Sequence, residues 1–451
     1  MQIQFPKFSS SDHELDVTYQ YRCELYARHV KETPTGHVIT EFLPNVGWAG
    51  IYNTISCAAS HHVRDGRWLQ DATPLREYAE FWCTEGNPRL YSFPIADSIL
   101  ALARVTGDYS AAEHLYPRLA EIYAAWDDHR ADGNPNPAVH GMYRQQCGYD
   151  GMEFSISGDG VRPTINSYMA ADAYALAELA HRVGDAAGEA RYRAEADRLS
   201  RRINEVLWNP AIGMYGVISE EGEMQNVREQ IGYIPWIYGI PTEGRDDCFR
   251  NLLDPACFLA PHGLRTADAS HPNYMKPFHH ECLWNGPVWP FATAQTLTAV
   301  IQYLHATKEP VISHGDFTRL LLQYAYHHRD EDGSPCLDEN MHPDTGEWLA
   351  RAILRSWGSD FDRGQHYNHS SFIDLVITGI CGLIPAEGNR LTIHPLGTSL
   401  EWFKLEDVNY HGHSLTVEWH GEDGLSVTVD GTRRAHALPS EGEPFAVTVT
   451  L

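Results

Sequence analysis

The chain contains 451 residues, of which 43% are hydrophobic and 21% are charged. This length and composition are typical of a globular protein with one large core or two ordinary ones, and they exclude disordered, collagen-like and coiled-coil chains. Because 60 Asp and Glu residues outnumber 34 Lys and Arg residues, the net charge is −26, which opposes binding to nucleic acid or to an anionic membrane surface.

The beginning of the chain shows no pattern typical of an export signal. Residues 1–10 lack a basic region followed by an apolar one, and no run of about 18 apolar residues follows. The nine cysteines are scattered and never form a Cys-x-x-Cys pair, a pattern typical of reduced thiols. We therefore expect a cytoplasmic protein without disulfides, membrane spans or a nucleic-acid partner.

Helical periodicity dominates residues 47–383. Apolar residues recur three and four positions apart, and short turns such as Gly107-Asp108 and Gly184-Asp185 follow successive segments. This pattern predicts a mainly α protein built of consecutive helical hairpins, with helices that include 94–105, 111–126, 166–183, 188–208, 290–305 and 317–327.

After residue 386 the pattern changes to short alternating runs at 390–395, 414–419, 425–429 and 445–451, separated by turns that contain glycine. Alternation of this kind is typical of antiparallel strands. We therefore predict three parts: an N-terminal extension at 1–45, a helical barrel at 46–385 and a small antiparallel β module at 386–451.

The densest group of polar residues, at 147–166, leads into a predicted helix. It combines the carboxylates of Asp150 and Glu153 with Arg162, Asn166 and several glycines. Glycines let the backbone approach a ligand closely, and a desolvated carboxyl can hold a proton near neutral pH. The segment is therefore a candidate for general acid catalysis, and a capping loop with solvated acids is the alternative.

A second acidic segment spans residues 330–348. Its opening Asp-x-Asp-Gly is similar to a calcium-binding loop, but glycine falls at position four instead of six, so we reject an EF-hand. Glu339 precedes the turn Pro343-Asp344-Thr345-Gly346, which is suited to holding one carboxylate against a cavity. An acidic surface turn is the alternative here.

Two tryptophans, Trp284 and Trp289, flank the sequence Asn285-Gly286-Pro287. Because Gly-Pro prevents a helix here, the two indoles cannot both belong to an ordinary helical core. Indoles beside groups such as Asn285 and Glu281 are typical of sugar recognition, since they stack on the apolar face of the ring. The neighbouring His279-His280 pair lacks a third ligand at a recognisable spacing, so we expect no metal site.

Further polar and aromatic residues recur at the starts of successive helical segments. Each one alone is more typical of a helix cap or a core contact, but loops at one end of a helical barrel converge on one cavity. The candidate substrate-binding residues are Trp48, Tyr52, Arg67, Trp68, Asp71, Asp97, Glu153, Arg162, Asn166, Glu281, Trp284, Asn285, Trp289, Arg363, Tyr367 and His369.

Over most of its length the chain resembles the bacterial glycoside hydrolases with an (α/α)6 barrel, a group that includes trehalases, family 63 glucosidases, mannosylglycerate hydrolase-like enzymes and, more distantly, family 142 arabinofuranosidases. Residues 148–155 resemble the Gly-Trp-Asp-x-Ser motif of the general acid, which maps onto Asp150. Residues 339–346 resemble the segment of the general base, which maps onto Glu339, and residues 284–289 resemble a Trp-x-Gly-Pro-x-Trp sugar-binding motif. Tyr149 in place of tryptophan and Met341 in place of an aromatic residue depart from the family pattern.

The resemblance implies an (α/α)6 toroid and hydrolysis of a glycosidic bond with inversion. Asp150, kept protonated, would donate to the departing oxygen while Glu339 deprotonates a water on the opposite face, with the two carboxyl groups about 6.5–9.5 Å apart. Glu153 is the reserve acid and Glu281 the reserve base. Because the large N-terminal β-sandwich of many relatives is absent, we expect an exo-acting pocket for a small neutral carbohydrate, without a cofactor.

Two other classes of protein stay open at this point. A sugar epimerase can use the same toroid and would draw on some of the 25 histidines to move protons. A non-catalytic sugar-binding protein would keep the tryptophans and tolerate the loss of the acids. The two carboxylates placed by the motifs favour the hydrolase.

Overall fold

The computed structural model describes residues 3–276, 280–359, 362–438 and 446–451. Its helices are α1 (His13–His29), α2 (Ala59–Gly66), α3 (Thr73–Thr84), α4 (Ile95–Thr106), α5 (Ser110–Ala125), α6 (Pro163–Val183), α7 (Ala186–Arg202), α8 (Ile234–Ile237), α9 (Pro290–Ala306), α10 (His314–Tyr326), α11 (Leu349–Ser356) and the π-helical α12 (Leu375–Ile380).

The strands fall into one larger sheet, a smaller three-stranded sheet and several short pairs. They are β1 (Lys7–Ser10), β2 (Val30–Thr33), β3 (Gly36–Ile39), β4 (Gly160–Val161), β5 (Trp208–Asn209), β6 (Met214–Tyr215), β7 (Ile218–Ser219), β8 (Leu259–Ala260), β9 (Gly263–Leu264), β10 (Leu383–Ile384), β11 (Arg390–Ile393), β12 (Trp402–Tyr410), β13 (His413–His420), β14 (Gly424–Val429), β15 (Thr432–Ala437) and β16 (Val447–Thr450).

Helix boundaries follow local sequence signals. Helix α6 begins at Pro163, whose fixed φ suits a first turn, and ends before Gly184, which adopts a φ of 78°. Helix α10 begins with a capping box between Ser313 and Asp316. The six predicted helices are confirmed to within a few residues, except that 188–208 stops being α-helical at Arg202 and continues as a π-helical turn into β5.

Six helical segments form an inner series in which each contacts the next: α2, α4, α6, α8, α9 and α12. The series closes on itself through charged side chains. The carboxylate of Asp65 on α2 accepts the backbone N–H groups of Phe372 and Asp374 at 3.1 and 2.9 Å, and Asp374 accepts from Arg67 Nε at 2.9 Å. The chain is therefore a helical protein whose inner helices surround a common axis.

The C-terminal region forms an antiparallel sheet with strand order β1-β12-β13-β14-β15. Its inward face carries Leu405, Val417 and Val427, which are fully buried against the helices. The edge strand β1 comes from the N-terminal extension and pairs Phe8 with Leu405. The extension and the β module thus share one sheet. The sequence did not predict this, because β1 and β12 are more than 350 residues apart and strand pairing over that distance leaves no local signal.

The predicted C-terminal strands are confirmed by β11, β13, β14 and β16, although residue 445 of the last prediction lies outside the described residues. Within the described ranges, no helix combines the length and the apolar character that crossing a membrane requires.

Candidate active site

Loops that precede the inner helices α2, α4, α6, α9 and α12 converge on a cavity of ≈ 280 Å³. Because each loop leads into a rigid helix, the side chains at this end are held in fixed directions. The described residues that line the cavity are Glu41, Phe42, Trp48, Ile55, Cys57, Tyr91, Gly151, Glu153, His280, Glu281, Cys282, Trp284, Trp289, Phe291, Glu339, Arg363, Tyr367 and His369.

A single guanidinium joins two of the carboxyl groups in this cavity. Arg363 donates to Glu339 through Nε at 2.8 Å and Nη2 at 3.3 Å, and its Nη2 also donates to Glu281 at 3.0 Å. Glu339 is 2% exposed. Burial raises the pKa of Glu339 and the charge of Arg363 opposes this rise, so the ion pair supports the carboxylate form that a general base needs.

Glu153 faces the same cavity from the loop before α6. The backbone N–H of Trp284 donates to the Glu153 carbonyl at 3.0 Å, and the thiol of Cys282 donates to Glu153 Oε2 at 3.2 Å. Burial raises the pKa of Glu153, and the negative charge of Glu339 adds to this effect. A carboxyl with a raised pKa keeps its proton at higher pH, which is the property of a general acid.

Asp150, the residue to which the family motif pointed, does not line the cavity. It is 2% exposed, and its carboxylate accepts from Arg162 Nε at 2.5 Å and from Ser92 Oγ at 2.6 Å. Arg162 is itself fully buried, so the pair is a structural contact beneath the loop.

An alignment of the motif shifted by three residues agrees with the positions of the two carboxyl groups. The family pattern places serine two positions after the acid, and Ser155 stands two positions after Glu153. Asp150 is followed at that position by Met152. Between the two carboxyls, Gly151 adopts a φ of 70° and turns the chain, so that Glu153 faces the cavity and Asp150 faces Arg162.

Replacing Asp150 with asparagine is expected to lower the free energy of unfolding by about 3–5 kcal/mol, because it removes the carboxylate that is bound directly to the buried guanidinium of Arg162. Urea unfolding of the variant measures this loss. The matched control is Glu121→Gln, which removes one partner of the exposed Arg118–Glu121 pair and should change stability by less than about 1 kcal/mol. A loss in Asp150→Asn no larger than that of the control would contradict the structural role.

Aromatic rings form the walls of the cavity. Trp284 and Trp289 stack with their ring centroids 4.5 Å apart and an interplanar angle of 16°, and Trp289 Nε1 donates to the Leu283 carbonyl at 2.8 Å. Trp48 is 45% exposed at the mouth, where the guanidinium of Arg363 lies 4.8 Å from its ring centroid. The cavity therefore offers flat apolar surfaces beside carboxylates, as sugar recognition requires.

Half of the candidate residues from the sequence come together in this cavity and half do not. Those that line it are Trp48, Glu153, Glu281, Trp284, Trp289, Glu339, Arg363, Tyr367 and His369. Those that do not are Tyr52, Arg67, Trp68, Asp71, Asp97, Asp150, Arg162, Asn166 and Asn285.

The residues outside the cavity have structural contacts instead. Trp68 is 0% exposed and donates through Nε1 to Asp374 at 2.7 Å, and Asn166 pairs with the backbone of Tyr143. Asp71 accepts from Thr73 at the start of α3, and the ring of Tyr52 packs against Phe81. Asn285 is buried. These contacts explain why helix-start position alone did not identify the residues that line the cavity.

The opposite ends of the inner helices line a second, larger cavity of ≈ 790 Å³ that includes Arg67 and Asp97. Its charged groups neutralise one another: Arg64 lies 3.8 Å from Asp97, Arg67 lies 2.8 Å from Asp374, and Arg104 lies 2.5 Å from Glu178. The smaller cavity is the candidate active site, because it combines Glu153, Glu281 and Glu339 with the stacked indoles, which the larger cavity lacks.

Several lining residues were missed by the sequence-based argument, namely Glu41, Phe42, Ile55, Cys57, Tyr91 and Cys282. Because Cys282 is adjacent to the candidate Glu281 in the sequence, its position could have identified it as a lining residue. Glu41 belongs to no motif, and only contacts with distant parts of the chain bring it to the cavity.

A sequence model of the mannosylglycerate hydrolase MGH1-like glycoside hydrolase domain matches residues 51–370. The chain belongs to this family. The matched range contains Glu153, Glu281, Glu339 and Arg363, so the charged centre of the cavity lies within the MGH1-like domain. The resemblance to mannosylglycerate hydrolase-like enzymes, and with it the prediction of a glycoside hydrolase, is confirmed.

Solved structures are similar to this chain in fold. A protein named as a sialidase is 33% identical over 99% of this chain, with a TM-score of 0.90, and the chain spans 41% of that protein's length. The GH63 mannosylglycerate hydrolase of Thermus thermophilus, solved with glucose, is 14% identical with a TM-score of 0.58, over 80% of this chain and 98% of that one. The GH78 rhamnosidase of a Bacillus species is 14% identical with a TM-score of 0.63, over 98% of this chain and 43% of that one. At 14% identity, the last two show a shared helical-barrel fold.

Proposed function

We propose that this MGH1-like domain is an inverting, exo-acting glycoside hydrolase that cleaves a small neutral glycoside, with Glu153 as general acid and Glu339 as general base. One observation carries the proposal: the two buried carboxyl groups line the same cavity as the stacked pair Trp284 and Trp289. Glu153 takes the role that the motif assigned to Asp150, because Asp150 lies in a buried ion pair away from the cavity.

In the proposed reaction, the protonated carboxyl of Glu153 donates its proton to the glycosidic oxygen as the bond from that oxygen to the anomeric carbon breaks. Glu339 removes a proton from a water that attacks the anomeric carbon from the opposite face. Arg363 stabilises the Glu339 carboxylate before the proton is transferred. Glu281, which contacts the same guanidinium, is the second candidate for the base.

The charges in the cavity favour a neutral substrate. Arg363 is the only arginine or lysine among the described lining residues, and two carboxylates already surround it. A structure of the Thermus enzyme is described as a complex with Tris and D-glycerate. In the present chain an added carboxylate would meet Glu281 and Glu339, which already pair with Arg363, without a free cation among the described lining residues, which opposes binding of an acidic sugar.

We further propose that the inner series α2, α4, α6, α8, α9 and α12 is the inner ring of an (α/α)6 toroid, with residues 46–385 as the catalytic barrel. The support is the closure of the series through Asp65, Arg67 and Asp374. Helices α3, α5, α7 and α10 would belong to the outer ring.

Hydrolysis of a glycoside of known configuration should release one monosaccharide whose initial anomeric configuration is opposite to that of the substrate. Proton NMR during the first minutes, before mutarotation, measures the anomer, and chromatography of the products shows whether single sugars leave from one end. A product that keeps the configuration of the substrate would contradict inversion and would require a nucleophilic carboxylate about 5 Å from the acid.

A further inference from the structure

A fourth carboxyl group reaches the active-site cavity from a part of the chain that precedes the matched family domain. Glu41 lies in the segment after β3, ten residues before the start of the matched range, yet it lines the cavity and is 3% exposed. Contacts with residues far along the chain fix its position. The backbone N–H of Asn368 donates to the Glu41 carbonyl at 3.0 Å.

The residues that follow Glu41 are fixed in the same way. The side chain of Asn53 donates to the carbonyls of Phe42 at 3.1 Å and Pro44 at 3.0 Å, and it accepts from the backbone N–H of Val46 at 3.0 Å. The segment that carries Glu41 is therefore held to the loops that form the site, and the direction of its side chain is set by those contacts.

The two oxygens of Glu41 have different surroundings. Oε1 accepts a hydrogen bond from the hydroxyl of Tyr367, whereas Oε2 is buried and has no hydrogen-bond partner among the described residues. An unpaired buried polar atom costs about 1–3 kcal/mol, so such an atom at the wall of a cavity points to a polar group that binds there. A sugar hydroxyl is the complementary group in a cavity that also contains stacked indoles.

Burial, together with the neighbouring charges, determines the protonation of Glu41. Burial raises the pKa of Glu41 to about 8, the charges of Glu339 and Glu153 add to this rise, and the charge of Arg363 and the hydroxyl of Tyr367 oppose it. The other titratable groups that interact with it are Cys57, Tyr78 and Tyr91. At neutral pH the carboxyl is therefore protonated and can donate a hydrogen bond through Oε2.

Resting on the proposed function, we infer that Glu41 is a specificity-determining residue that binds one hydroxyl group of the non-reducing sugar through Oε2. It acts as a neutral hydrogen-bond donor, and Tyr367 holds it in place. Glu153 and Glu339 carry out the proton transfers of the reaction. A sugar that lacks this hydroxyl would leave Oε2 unpaired and would bind less tightly.

The test uses the full chain, the glycoside that it hydrolyses best, and a series of monodeoxy analogues of that glycoside. For the unaltered protein, one analogue should show a kcat/KM lower by about 10–100-fold, the effect of losing one buried hydrogen bond. In Glu41→Ala, kcat/KM for the parent glycoside should fall by a similar factor, and the penalty for that analogue should disappear. Glu41→Gln should lose less than Glu41→Ala, because an amide can also donate. The matched control is Glu32→Gln at an exposed position on β2. In this variant the reduction in kcat/KM for each monodeoxy analogue should equal that of the unaltered protein.

A second readout does not depend on activity. Because the pKa of Glu41 is higher in the folded chain than in the unfolded one, its contribution to stability is fully present below about pH 4.5 and is lost as the pH rises through about 8. The fall in melting temperature over this interval should be smaller in Glu41→Gln than in Glu32→Gln.

The outcomes separate the two proposals. If the unaltered protein hydrolyses no glycoside, the proposed function fails, and the melting curves still test the environment of Glu41. A different outcome is that the unaltered protein hydrolyses a glycoside while Glu41→Ala keeps the same kcat/KM for it and the same reduction in kcat/KM for each monodeoxy analogue. That result would overturn the role of Glu41. Equal pH dependence of the melting temperature in Glu41→Gln and Glu32→Gln would overturn its protonation at neutral pH.

Discussion

Replacing Glu153 with glutamine is expected to lower kcat/KM by about 10²–10⁴-fold for glycosides whose leaving group needs protonation. For a 2,4-dinitrophenyl glycoside, whose leaving group departs without a proton, the loss should be small. The physical reason is that glutamine fills the same space in the cavity but cannot transfer a proton to the glycosidic oxygen. Initial rates on a series of aryl glycosides with different leaving-group pKa values measure the effect.

The pH profile gives a second measure of the same residue. Burial raises the pKa of Glu153, and the acid form is the active one, so kcat/KM should fall as the pH rises through that pKa. In Glu153→Gln, kcat/KM for the dinitrophenyl glycoside should not show this decrease at alkaline pH.

The decisive control for the acid is Asp150→Asn, which alters the other carboxyl of the same loop. We expect this variant to be less stable, but its dependence on the leaving group should match that of the unaltered protein. If Asp150→Asn shows the strong dependence on leaving group and Glu153→Gln does not, the proton comes from Asp150. The cavity would then have to rearrange around the buried ion pair with Arg162.

Replacing Glu339 with glutamine is expected to lower kcat by about 10²–10⁴-fold for every leaving group, while substrate binding persists. An amide cannot accept the proton of the attacking water, and this step is required whatever group departs. Single-turnover rates and binding isotherms measured on the same variant separate the chemical step from binding. Added azide, which attacks without losing a proton, should restore turnover and yield a glycosyl azide of inverted configuration.

Glu281→Gln is the matched control for the base, because Glu281 and Glu339 contact the same guanidinium of Arg363. We expect its effect to be smaller than that of Glu339→Gln, and azide should not restore the lost activity. A larger loss in Glu281→Gln, with rescue by azide only in that variant, would assign the base to Glu281. An epimerase would lose little activity in either variant, and a sugar-binding protein would show no turnover to lose.

Local sequence patterns were sufficient for the helices and for part of the site. The periodicity of residues 290–305 and the Gly-Pro step before it predicted both the bounds of α9 and a separate aromatic loop, because both depend on neighbouring residues. Glu339 and the two tryptophans were predicted from motifs and Arg363 from its position before a helix, and all four line the cavity.

The motif alone did not decide between the two carboxyls of residues 147–155, because its Gly-Tyr-Asp start matches Asp150 whereas its serine spacing matches Glu153. Asp150 and Glu153 are three positions apart in an irregular loop, where side-chain direction depends on backbone angles such as the positive φ of Gly151. The ion pair of Asp150 with Arg162 and the contact of Glu153 with Cys282 decide which group faces the cavity. The last of these contacts joins residues 129 positions apart, and no local pattern contains it.

The sequence by itself determined the family, the succession of helical hairpins, the C-terminal strands and the acidic charge that opposes anionic partners. The tertiary structure alone decided which carboxyl groups meet in the cavity. It also joined β1 to the C-terminal sheet and brought Glu41 beside Tyr367, 326 positions further along the chain. Periodicity and motifs report short-range preferences of the backbone, whereas a catalytic cavity is assembled from long-range contacts that become visible only when the chain is folded.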